Sequence, residues 1–128
     1  MSYYYTKKLD TDFDSAIEKA TEELKKEGFG ILTEIDVKET LKKKLDVDFR
    51  KYRILGACNP AMAHKALQAE GHIGTMLPCN VIVQELEDGK TEVSAVDPVA
   101  SMKAVENDKL EPIASEVRDK LRKAIDNL

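Results

Sequence analysis

Two cysteines and two histidines are the side chains of this 128-residue sequence best suited to chemistry, and both cysteines stand in the same setting. Cys58-Asn59 precedes Pro60, and Cys79-Asn80 follows Pro78. Cys58 closes a predicted strand directly before a helix opened by Asn59 and Pro60. The first-turn N–H groups, from about Ala61 to Ala63, and the helix dipole place positive potential there. That potential would favour a thiolate, making Cys58 a candidate reactive thiol. It would equally hold a phosphate or carboxylate, with Gly56 allowing close backbone approach. Taken alone, Cys58 is more ordinarily read as a small buried hydrophobe.

Topology decides whether the two Cys-Asn units meet. The helix from Pro60 to Glu70 spans about 16 Å. The Gly71–Pro78 loop, extended, reaches about 27 Å and can bring the chain back. If it does, Cys58, Asn59, Cys79 and Asn80 share one crevice, with Asp97 at its rim. The plain reading of Asp97 is a cap for the helix that follows it.

No Cys-x-x-Cys pair is present, so no metal set is assigned and no cofactor is expected. His64 reads as a surface helix residue. Tyr52 and Arg53 alternate on their strand, so one points to each sheet face. Phosphate-binding glycine loops, Gly-x-Ser-x-Gly and His-Glu-x-x-His are all missing, and no catalytic class is supported.

The elements that must position these groups are legible. Tyr3–Leu9 reads as a strand, its tyrosines more those of an edge than of a binding platform. Asp10-Thr11-Asp12 starts a helix with Phe13, Ile17, Ala20 and Leu24 on one stripe, ended by Gly28. Phe29–Ile35 is a strand with Phe29, Ile31, Thr33 and Ile35 alternating. Asp36 and Glu39 form a capping box for a short helix carrying Lys42, Lys43 and Lys44. Lys51–Ala57 is the third strand. Asn80–Leu86 and Thr91–Val96 are the last two, joined by the hairpin signal Asp88-Gly89. Val99, Met102 and Val105 suggest a short helix. Leu110, Ile113, Ala114, Val117, Leu121, Ala124 and Ile125 make a long C-terminal helix, packed on the sheet or on a partner subunit. The expected architecture is therefore a single α+β domain over residues 1–128. Its single mixed, largely antiparallel sheet has about five strands, with helices packed on it.

Composition bounds the partners. A net charge of -4 and a pI near 5.3 argue against general nucleic-acid binding. No apolar run spans a membrane, and no secretory leader is read at the start. Two cysteines without an export signal point to the reducing cytoplasm.

Several of these residues, taken together, resemble one family. Gly28-Phe29-Gly30, Thr33 to Val37, Phe49 with Tyr52 to Pro60, Leu77-Pro78-Cys79-Asn80-Val81 and Asp97-Pro98 are similar to the domain of unknown function 302 family. The resemblance covers nearly the whole chain and implies a small bacterial or archaeal cytosolic α+β domain without an established biochemical role. It places Cys58, Asn59, Cys79, Asn80 and Asp97 on motif positions.

The leading expectation is a domain, a homodimer, that binds a small anionic molecule through Gly56, Cys58, Asn59, Ala61, Cys79, Asn80 and Asp97. A second expectation is a thiol-redox or metal-binding protein using Cys58 and Cys79. A third is a purely structural assembly module.

Overall fold

The computed structural model describes residues 2–128. The order is β1 (Tyr4–Leu9), α1 (Phe13–Lys26), β2 (Gly30–Asp36), α2 (Val37–Leu45), β3 (Tyr52–Cys58), α3 (Pro60–Ala69), β4 (Cys79–Glu85), β5 (Thr91–Val96), α4 (Pro98–Ser101) and α5 (Leu110–Asp126). A 3-10 turn at Ile73–Met76 lies between α3 and β4. The strands form one sheet in the order β1-β5-β4-β3-β2. Every neighbouring pair is antiparallel, so the sheet is antiparallel throughout rather than mixed.

Short oxygen side chains start the helices as read. Asp12, Asp36, Asn59 and Asp97 each accept a backbone N–H from the first turn of α1, α2, α3 and α4. Gly28 ends α1 with φ of 87°, a conformation open to glycine because it lacks a Cβ. The segment after Asp97 is only one turn of helix, so Met102 and Val105 lie beyond it.

One face of the sheet is covered. Leu55, Ala57, Cys79, Val81, Val83, Val93 and Ala95 point into a core shared with Ala16, Ala20 and Leu24 of α1 and Val117, Leu121, Ala124 and Ile125 of α5. The α5 stripe is thus satisfied within the chain itself. The α2 helix, in contrast, has no buried residue.

The other face is read from the strand register in three cross-strand rows. The first runs Thr33, Gly56, Asn80, Val96, Tyr4; the second Ile35, Ile54, Ile82, Ser94, Thr6; the third Tyr52, Gln84, Glu92, Lys8. Ile35 joins this face because β2 shifts register between Ile31 and Thr33. Simple alternation put Ile31, Thr33 and Ile35 together. The bulge at Leu32 instead leaves Ile31 opposite Ala57 on the covered side and moves Thr33 and Ile35 to the bare one.

Candidate functional site

The end of β3 and the start of β4 lie side by side. Ala57 is opposite Cys79, and Gly56 is opposite Asn80. The Ile73–Met76 turn returns the chain to the sheet end it left, so both Cys-Asn units come to one corner. Cys58, Asn59 and Cys79 line the same crevice, with Leu77 and Pro78 beside them. Met62, Ala63 and Ala66 of α3 form one wall. Ile113, Ala114 and Val117 of α5, together with Pro98 and Met102, form another. The free volume is about 30 Å³, room for a few waters at most.

The walls are almost wholly apolar, and no Lys, Arg or His is among the lining residues. Cys79 is buried, Cys58 is half-buried, and both are free thiols. Burial, with a smaller contribution from nearby Cys58, pushes the Cys79 thiol up to about 11. It is a neutral thiol at physiological pH and a poor nucleophile.

Asn59 holds the corner together. Its carboxamide oxygen accepts from the Met62 N–H at 3.3 Å, and its Nδ2 donates to the Glu27 carbonyl at 3.3 Å. The backbone carbonyl of Asn59 takes the Ala63 N–H at 2.9 Å. Pro60 has no N–H, so little of the first turn is left for an anion beyond Ala61, which is exposed.

The remaining expected site residues go elsewhere. A Cβ on Gly56 would run into Thr33 Oγ1 and come within 2.8 Å of Pro78 Cγ. Glycine is needed there to seat Thr33 and Pro78, whose bond to Leu77 is cis. Asn80 lies in the first row of the bare face, away from the core side. Asp97 reaches the expected sheet end, but its carboxylate is fully engaged. Oδ1 accepts from Val99 and Ala100, and Oδ2 from Arg122 at 3.3 Å. Arg53 sits at the far end of β3, paired with Glu34 and Asp36. His64 and His72 are exposed, and neither lines the crevice.

Sequence reasoning did not find the helical walls. Met62, Met102 and the α5 residues carry no signal beyond apolar periodicity, which reads as core. Among the described residues no group of three or more His, Cys, Asp or Glu could hold a metal ion. No described helix is long and apolar enough to cross a membrane.

The model of the family described as domain of unknown function DUF302 matches residues 5–128. The chain belongs to the DUF302 family. It is similar to the crystal structure of an uncharacterized conserved DUF302 protein from Bacillus stearothermophilus, with 31% sequence identity and a TM-score of 0.92. That alignment covers 98% of each chain. No curated protein matches the chain. Of the five residues that the resemblance singled out, Asn59 and Asp97 cap helices, Cys58 and Cys79 line the crevice, and Asn80 lies on the other face of the sheet.

Proposed function

We propose that this DUF302 chain is a small-ligand-binding domain that works through the crevice at the β3–α3 corner. The observation that carries the reading is that Cys58 and Cys79 line one crevice with apolar walls. The occupant favoured by that lining is small, uncharged or soft, and thiophilic. Sulfur ligands prefer soft ions such as copper(I), and the thioethers of Met62 and Met102 line the same space. An anionic occupant draws support from the α3 N-terminus, but Asn59 already takes its Met62 N–H and no cation lines the walls. Two free thiols suit a reducing compartment such as the cytoplasm.

The test is a thermal-shift screen with two panels, anionic metabolites and copper(I) under anaerobic conditions, run beside iodoacetamide labelling of Cys58. Copper(I) is expected to raise the melting temperature and protect Cys58, with both effects lost in Cys58→Ser. Stabilisation by an anion instead would restore the anionic form of the proposal. No shift and no protection from either panel would overturn the crevice as a binding site.

A further inference from the structure

We infer that the bare face of the sheet is the seat of a second copy of this chain, packed face to face about a two-fold axis. The α5 stripe, the other candidate for a partner, is already buried against the chain's own sheet and α1. The bare face is left with Ile35 and Tyr4 at 48% and 45% exposure, and none of its rows belongs to the main core shared with α1 and α5. Five strands at about 4.8 Å and three rows of side chains give a face of about 24 by 20 Å. Two such faces bury roughly 1,000 Å², the lower bound for a specific interface.

Charge selects the occupant. The chain carries -4 overall, yet these rows hold one acid and one base, Glu92 and Lys8, directly opposite each other. Arg50, laid over Tyr52 and bonded to Gln84, adds one positive charge at the margin. A face with so few charges repels its own copy little, and one arginine falls far short of the cation cluster that a nucleic acid or an anionic lipid surface requires. Most of the remaining polar groups are satisfied within the chain. Thr6 and Ser94 bond each other, and Gln84 is held by Arg50 and Glu92, which leaves exposed Asn80 as the amide that can both donate to and accept from its copy across a two-fold axis. The shallow trough of about 470 Å³ between Tyr4 and Tyr52 gives the copy's side chains room to interlock.

Sedimentation of the full chain at micromolar concentration tests this, with Ile35→Glu and Ile82→Glu as face variants and Leu67→Glu on α3 as the control. The parent and Leu67→Glu are expected to be dimers, and both face variants monomers. A monomeric parent would overturn the inference. So would a dimer that survives both face variants, or one lost only in Leu67→Glu. Should a face variant fail to fold, hydroxyl-radical footprinting of the parent decides. Oxidation of Tyr4 and Tyr52 that falls at least several-fold with rising protein concentration supports the interface, and unchanged oxidation refutes it.

Discussion

The two faces of this sheet are made of the same strands and differ in what they meet. On the covered face the central strands hold buried aliphatic side chains and a cysteine, Leu55, Ala57, Cys79, Val81, Val83, Val93 and Ala95, in one core with α1 and α5. On the bare face the alternating partners are isoleucines, tyrosines, amides and hydroxyls. The covered face therefore holds the fold. The crevice lies at one end of the covered face, between Ala57 and Cys79 and the walls from α3 and α5. The lesson is that burial pattern, and not residue type alone, separates the groups that stabilise from those free to bind.

The sharpest contrast comes from truncating the covered side. Leu121 is 1% exposed in the core, so Leu121→Ala is expected to cost about 2–5 kcal/mol in a denaturant titration. The same measurement on Ile35→Ala, half exposed in a single chain, should give well under 1 kcal/mol at concentrations where the chain is a monomer. Equal losses would break the distinction between the faces.

The crevice should respond to alkali. In the folded chain Cys79 keeps its proton to about 11, against 9.0 for an unperturbed thiol. Between those values the folded state binds the proton more tightly than the unfolded state. The contribution is fully present below pH 9 and is lost as pH rises towards 11. Melts across that window should show the parent losing on the order of 2 kcal/mol more stability than Cys79→Ala does. Parallel curves would mean that Cys79 is better solvated than its burial implies.

Where the faces join, Gly56→Ala should destabilise by about 1–3 kcal/mol, because the new methyl meets Thr33 Oγ1 and Pro78 Cγ. Thr33→Ala in the same chain should recover part of the loss. A smaller loss than at Gly56 is expected at Asn59. Asn59→Asp keeps the helix cap but removes the bond to Glu27, for about 1 kcal/mol by thermal melt, whereas Asn59→Ala loses both interactions.

Much of the fold was legible because its signals are local. Asp88-Gly89 marks the β4–β5 hairpin, and Gly89 takes the positive φ that such a turn uses. The four capping residues act at the helices they precede. The illegible part is non-local. Nothing in Gly30 to Asp36 announces the register shift at Leu32, which depends on how β3 pairs with it. Gly56 suggested backbone approach by a ligand, but its neighbours Thr33 and Pro78 are distant in sequence. Asn80 was grouped with Cys79 by adjacency, yet strand alternation turns consecutive residues to opposite faces. The meeting of Cys58 with Cys79 needed the return path through Ile73–Met76, which no periodicity specifies.

The bulge at Leu32 bears also on how far assembly can run. β2 and β1 are the sheet's two margins, each with a row of backbone groups that another chain's strand could extend. The pairing in β2 is broken by a register shift, of the kind that adds local twist to an edge, and Lys7 and Lys8 charge the other margin. Lateral growth into a continuous ribbon is thus obstructed at both ends. The association inferred above uses the broad surface and leaves the margins unused; it would close after two subunits and give a discrete particle instead of a fibre.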